Sequence, residues 1–249
     1  MWTVVAVFVL GVLVGGVVNQ LGSDLPRQGT PTEPHCPYCG RRRPWWQWLG
    51  VLAYLAARHR CRSCGAPMRL RRPLTEIGLG VLYAYLWMAL GPSIELLFYG
   101  LYSAILALIV IIDLEHHLIL NVVTYPAIAL GLVGSFFVPD VTWRSALIGG
   151  GIGLVFFFLV AWVGEALFGA GALGGGDVKL AALIGVVTGY PLVIEAIVLT
   201  ILIGAAVSLV LLITGIRSLR DHVPYGPFLV AGGMIALLWG FRIAEWFLI

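Results

Sequence analysis

Charge is what this chain has least of. Only 11% of its 249 residues are Asp, Glu, Lys or Arg, 60% are hydrophobic, and the mean hydropathy is +0.99. A soluble domain of this length needs a far more charged surface, so the composition excludes an ordinary soluble enzyme. Lysine is almost absent: Lys179 stands alone against 14 arginines. Cysteine is confined to four positions, all between residues 36 and 64. The first apolar stretch has no basic residues ahead of it and no clear small-x-small cleavage site, which argues against a cleaved signal peptide. There is no internal repeat, no low-complexity tail and no glycine-rich nucleotide loop of the soluble type.

What is present is a series of apolar segments. Residues 1–18 carry no charge and are just long enough for an uncleaved first span. Residues 19–72 form a polar segment rich in Pro, Arg and Cys. Within it, Trp45 to Ala57 is too short to cross a bilayer and reads as an interfacial or core helix, with Trp at headgroup level. From residue 73 to the end, spans are expected near 73–90, 94–112, 118–138, 144–168, 178–190, 191–216 and 225–248. The expected fold is an all-α polytopic membrane protein of about eight transmembrane helices. A small cytosolic zinc-ribbon-like domain sits between the first helix and the second. The segment 178–190 is short for a hydrocarbon core of about 30 Å, so it is either a half-span or a helix continuing past Pro191.

The basic residues set the orientation. If 19–72 is cytosolic, its ten arginines share that side with Lys179, Arg217 and Arg220, leaving only Arg144 and Arg242 outside. That is a strong positive-inside bias. Counting spans then puts the polar segment, Asp113, Asp177 and the Pro224-Tyr225-Gly226-Pro227 turn at the same, cytosolic, face.

Cys36-Pro37-Tyr38-Cys39-Gly40 and Cys61-Arg62-Ser63-Cys64-Gly65 are two C-x-x-C-G knuckles separated by 21 residues. Each offers two thiolates from one tight turn, and together they supply the four tetrahedral ligands of a structural zinc ion. A cytosolic position argues against disulfides. The neighbouring Arg41, Arg42, Arg43, Arg60 and Arg62 offset the negative charge of a tetrathiolate site. Anionic lipid headgroups account for the arginines more simply than a nucleic acid does.

Two acids lie in apolar surroundings. Asp113 closes the run Ile109-Val110-Ile111-Ile112, and Asp177 follows Gly174-Gly175-Gly176. An ionised carboxylate at membrane depth is costly, which marks such residues as functional or paired. Brought together, the two can share one proton and activate a water. The plain alternative is that each caps a helix N-terminus. Lys179 either orients such a site or serves as an interfacial anchor. Glu165 is a candidate neighbour of the pair, with a polar helix contact as the simpler reading, and His116 and His117 read as interfacial.

In order and spacing these motifs resemble the type IV prepilin peptidases, intramembrane aspartic proteases with a G-x-G-D motif that also act as N-methyltransferases. The resemblance runs through Gly16-Val17-Val18-Asn19 with Leu25-Pro26, the paired knuckles, and Arg72-Pro73-Leu74-Thr75-Glu76. It continues through Asp113 to Asn121, Gly174 to Leu180, and Pro224 to Pro227. The chain departs at Leu120, where the family usually has Pro, and at Asp24, where Arg is common.

The resemblance implies a multi-pass protein of the bacterial inner membrane with Asp113 and Asp177 as catalytic dyad. Gly174, Gly176 and Lys179 support the dyad, and Glu76 serves a methyl-transfer site. It implies prepilins or pseudopilins as substrates, cleaved after a short basic leader ending in Gly. S-adenosylmethionine is the implied methyl donor. On the same reading residues 1–18 form the first helix, 19–72 the zinc-binding, methyltransferase-associated domain and 73–249 the peptidase domain. The competing readings are a peptidase without methyl transfer, a preflagellin-type peptidase, which commonly lacks a zinc domain, and a cation-coupled transporter whose acids bind the ion.

Overall fold

The computed structural model describes residues 2–30, 32–33, 35–36, 38–42, 47–56, 60–61, 63–168, 173–215 and 224–247. Pro37, Arg43, Trp45, Trp46, Ala57, Arg58, Arg62, Arg217 and Arg220, singled out by the sequence or counted in its charge balance, lie outside the described residues. The described residues hold nine helices and no strand: α1 (Trp2–Gln28), α2 (Gly50–Ala56), α3 (Arg71–Leu90), α4 (Ile94–His116), α5 (Asn121–Gly134), α6 (Trp143–Phe168), α7 (Gly175–Thr188), α8 (Leu192–Ile213) and α9 (Gly226–Phe247). Five of them, α1, α3, α4, α6 and α8, are long and apolar enough to cross a membrane, while α5 and residues 226–240 of α9 are apolar but shorter. The chain forms two compact units, Met1–Ile111 and Ile112–Ile249, with α4 running from the first into the second.

In the first unit α1 packs along α3. Small residues permit the contact: a methyl group on Gly11 would stand 2.6 Å from the Leu79 carbonyl oxygen, and one on Gly15 would stand 2.6 Å from Glu76 Cα. The α1 helix does not stop at residue 18 but continues through Asn19, Asp24 and Pro26 to Gln28. Gly29, at φ 70°, then closes it by donating its N–H to the Leu25 carbonyl. The extension is fixed by side chains that find partners. Asn19 Nδ2 donates to the Arg72 carbonyl at 2.9 Å. Asp24 Oδ2 accepts from Gln20 Nε2 at 2.8 Å, Thr32 N at 2.8 Å and Thr32 Oγ1 at 3.0 Å.

In the second unit α7 is the centre. Every residue from Leu180 to Thr188 is buried, by contacts with α5, α6, α8 and α9. The helix has 14 residues, about 21 Å at 1.5 Å per residue, is enclosed by protein, and ends at Thr188 rather than continuing past Pro191. Its tightest neighbour is α6. A methyl group on Gly185 would overlap the carbonyl oxygen of Gly149, and one on Gly153 would overlap that of Ala181. Small residues at such a contact let two backbones approach closely where lipid gives no hydrophobic drive.

The α5 helix is shorter than the apolar stretch 118–138 suggests. His117 takes a left-handed conformation (φ 53°) with its N–H on the Asp113 carbonyl, and Leu120 is extended (φ −76°, ψ 127°), so the helix starts only at Asn121. At the other end the Ser135 hydroxyl donates to the Leu132 carbonyl at 2.7 Å, and the chain turns through Val138.

The α6–α7 contact makes a direct prediction. Gly185→Leu forces a side chain into the Gly149 backbone and should destabilise the protein by at least about 1–3 kcal/mol, the usual range for overpacking. Thermal unfolding in detergent measures this, and an unchanged Tm would contradict so close an approach.

Candidate active site and metal centre

Asp113 lies in the last turn of α4, 5% exposed, with Oδ2 buried and without a hydrogen-bond partner among the described residues. Its position excludes a cap on the N-terminus of its own helix. An acid near a helix C-terminus opposes the helix dipole and finds only carbonyls there. Relief comes from elsewhere in the chain: the carboxylate abuts the first residue of α9, where a methyl group on Gly226 would stand 2.5 Å from Oδ2. The α9 helix therefore presents its N-terminal, positive end to Asp113.

Asp177 is the third residue of α7. The Asp177 N–H donates to the Gly174 carbonyl at 3.0 Å, and its carboxylate accepts from the Gly174 N–H. This is the reciprocal arrangement of a capping box with an acid at the third position. Gly174 is extended (φ −70°, ψ 140°) and has no side chain to cap the helix, so Asp177 folds back to do so. The same carboxylate lies within electrostatic reach of Asp113 and of Tyr225. The second unit thus brings together the ends of α4, α7 and α9, with the two carboxyls within electrostatic reach of one another. Such a pair can hold one proton between them while the ionised member takes a proton from water.

The other sequence candidates fall into place around it. Gly176 packs on the α4–α5 link, where a methyl group would stand 2.9 Å from Ile119 Cβ. Lys179 Nζ donates to Asn121 Oδ1 at 2.8 Å and lies 5.6 Å from the centre of the Tyr125 ring. It points away from Asp177, as two residues of separation on a helix dictate. Glu165 is exposed on α6. Tyr225 packs its ring against Phe157 and Phe228, with centroids 5.9 and 6.0 Å apart. The contacts of Asn121 and Tyr125 with Lys179, and of Gly226 with Asp113, were not read from the sequence. Their only signal was proximity to the two aspartate motifs.

Glu76 belongs to the first unit and is fully buried. Its Oε1 accepts from Gly50 N at 2.6 Å and from Asn19 Nδ2 at 3.3 Å, and its Oε2 accepts from Val51 N at 2.8 Å. It therefore caps α2 and ties it to α1 and α3. Gly50 is needed for this, since a methyl group there would stand 2.6 Å from Arg72 Cβ and 2.9 Å from Glu76 Oε1. Trp48 and Leu49 pack on Gly16 of α1, so this part of the short helical segment makes a core contact.

The four cysteines converge, with all sulfurs within 4.8 Å of one another and Cys36 Sγ 3.8 Å from Cys64 Sγ. Tetrahedral bonds of about 2.3 Å to a metal put sulfurs roughly 3.8 Å apart, so the donor set fits such an ion. The two knuckles are built alike. Gly40 and Gly65 donate to the carbonyls of Cys36 and Cys61 from left-handed conformations (φ 68° and 69°) with open space around them. Glycine is required there by the backbone angle rather than by crowding. The Cys64 and Ser63 N–H groups lower the Cys61 thiol to about 6. The Ala66 N–H favours a Cys64 thiolate too, yet desolvation and the three neighbouring sulfurs push that thiol up to about 11. Four thiolates in one place need a cation among them. Arg42 pairs with Glu33 at 2.8 Å and Arg41 donates to Ser63 Oγ at 3.0 Å, both at the surface.

An open cavity of about 380 Å³ lies beside the first knuckle, lined by Gln28, Thr32, Glu33, His35, Gly40 and Arg42. Its charged pair, Arg42 with Glu33, is self-neutralised, and the His35 imidazole is the one ring among its described lining residues, so nothing in the lining selects a sulfonium methyl donor and no step is derived through one.

These features define a helical, multi-pass membrane protein with a paired-carboxylate centre in one unit and a four-thiol centre in the other. Family models match both parts: the bacterial peptidase A24 N-terminal domain over residues 9–90 and the type IV leader peptidase family over residues 100–209. The chain is 33% identical over 260 residues to a prepilin leader peptidase/N-methyltransferase of Pseudomonas putida, covering 94% of this chain and 90% of the relative. It is 34% identical over 206 residues to the protein of the same name from Burkholderia pseudomallei strain 1026b, covering 82% of this chain and 66% of the relative. A Bacillus subtilis protein of that name is 26% identical over 243 residues, covering 97% and 96%. No solved structure is a significant match. The chain belongs to the type IV leader peptidase family.

For the thiol centre, the purified protein should carry about one thiophilic metal ion per chain, and Cys36→Ser should remove most of it. Elemental analysis of both proteins checks this; equal metal content in the two would rule out the four-sulfur site.

Proposed function

We propose that the protein is a membrane aspartic endopeptidase that cleaves the short basic leader of type IV prepilins or pseudopilins. Asp113 and Asp177 are its catalytic pair. The observation that carries the reading is the convergence of two carboxyls from separate helices, at the end of α4 and the start of α7. One carboxylate, ionised, takes a proton from water as the oxygen attacks the scissile carbonyl. The other, protonated, donates to that carbonyl oxygen. Collapse of the tetrahedral intermediate breaks the C–N bond, and the leaving amine takes up the proton. Gly174 lets Asp177 fold back on the backbone, and Gly226 lets α9 approach Asp113.

The substrate is a chain whose apolar helix lies in the bilayer beside the enzyme, with its basic leader at the cytosolic face. The arginine distribution supports that orientation, and about eight spans in the bacterial inner membrane accord with it. The knuckles hold zinc, in a structural role. The names of the relatives support a second step, methylation of the new N-terminal amine with S-adenosylmethionine. The first unit, Met1–Ile111, which holds the thiol centre and Glu76, is its natural seat, since the carboxylate pair lies in the second unit. A transporter reading is less well supported: ion-binding acids belong at mid-span, whereas both of these sit in terminal turns.

The test incubates the purified protein with a prepilin and S-adenosylmethionine and reads the product's N-terminus by mass spectrometry. Wild type should release the leader and add a methyl group, and Asp113→Ala and Asp177→Ala should each lose at least ~10²-fold in cleavage rate. Cleavage by either variant at the wild-type rate would remove that aspartate from the mechanism. Cleavage without methylation would leave a peptidase only.

A further inference from the structure

We propose that Lys179 and Asn121 form a clasp that fixes Asp177 relative to Asp113, which makes Lys179 a positioning residue of the peptidase reaction; this rests on the peptidase reading above. The two aspartates are joined in space through one short piece of chain. After Asp113, α4 ends with the left-handed turn at His117, and Leu118 to Leu120 lead to Asn121, the first residue of α5. The first five residues of α7 meet that piece twice, on either side of Asp177. Gly176 seats on Ile119, where a methyl group would stand 2.9 Å from Cβ. Lys179 Nζ donates to Asn121 Oδ1 at 2.8 Å, above the Tyr125 ring at 5.6 Å.

Each contact alone permits rotation or sliding of the link on α7. Together they hold the residues that follow Asp113 against the turn that carries Asp177. Lys179 does not act on Asp177 directly, since a residue two positions further on a helix faces elsewhere. Among the described residues its partners are a neutral amide and an aromatic face. A lysine serving only as an interfacial anchor would extend to the headgroups. Here its head group meets Asn121 and Tyr125, both exposed, at the surface of the unit.

The test is a double-mutant cycle with Lys179→Met, Asn121→Ala and the pair, on the full-length protein with a prepilin substrate. Each single variant should lose about tenfold in kcat with KM nearly unchanged, because misplacing reacting groups costs rate rather than binding. The double variant should be no slower than either single one. Lys179→Arg, which can still reach an amide and stack on Tyr125, should keep most of the rate. Asn121→Ala at the wild-type rate, or losses that multiply in the double variant, would overturn the clasp. Thermal unfolding of the same four proteins reads the clasp without any substrate: Tm losses should be less than additive, and additive losses would count against it. If wild type cleaves nothing while the Tm cycle shows coupling, the peptidase reading fails and the clasp stands.

Discussion

A carboxylate in apolar surroundings needs backbone N–H groups facing it, and in the second unit α7 makes this possible. Asp177 can fold back on Gly174 only because α7 begins there, and α7 can begin there only because its remaining length is enclosed. Leu180 to Thr188 meet protein on every side. The Gly149–Gly185 approach then fixes the helix along its axis, because two backbones in contact cannot slide without a clash. The position of the acid is thus set by packing well away from it. A lipid-facing helix of 14 residues would have no such fixed end.

Much of this was legible beforehand, for a physical reason. Glycine and cysteine patterns encode backbone geometry directly, so Gly40, Gly65 and the four sulfurs stand where the C-x-x-C-G spacing required. The acids at Asp113 and Asp177 stood out because apolar sequence makes any charge conspicuous. Helix ends were less legible. The apolar run to residue 18 says nothing about Asn19, Asp24 or Thr32, whose hydrogen bonds carry α1 on to Gln28. Residues 118–138 carry no charge and are mostly apolar, yet the left-handed turn at His117 and the extended Leu120 delay the helix to Asn121. Hydropathy measures what a segment can be buried in, and hydrogen bonding decides where the helix stops.

The partners of Lys179 and Glu76 were illegible for a different reason. A side chain's role depends on what tertiary structure brings to it. Glu76 reads as an acid near a helix start, which is favourable at the N-terminus of its own helix. In the structure it caps another one, α2, through Gly50 and Val51. Removing it would leave the buried Gly50 N–H without its partner, at a cost of roughly 1–3 kcal/mol, and the half-buried Val51 N–H as well. That is sufficient reason for a fully buried acid here, independent of any chemistry it serves.

The turn from Pro224 to Pro227 shows how one short pattern meets several constraints. Asp113 needs a positive partner, and the dipole of its own helix opposes it. The α9 N-terminus supplies one, provided nothing separates backbone from carboxylate. Gly226 satisfies that condition, since any Cβ would stand 2.5 Å from Oδ2. Pro227 lies in the first turn of α9, where its missing N–H costs no helical hydrogen bond and its fixed φ favours a start. Tyr225 anchors the turn between Phe157 of α6 and Phe228 of α9. The turn therefore owes its residue types to the acid on another helix, and the acid owes its tolerable burial to the turn. Neither motif explains itself alone, which is why their joint occurrence along the chain carries more weight than either one.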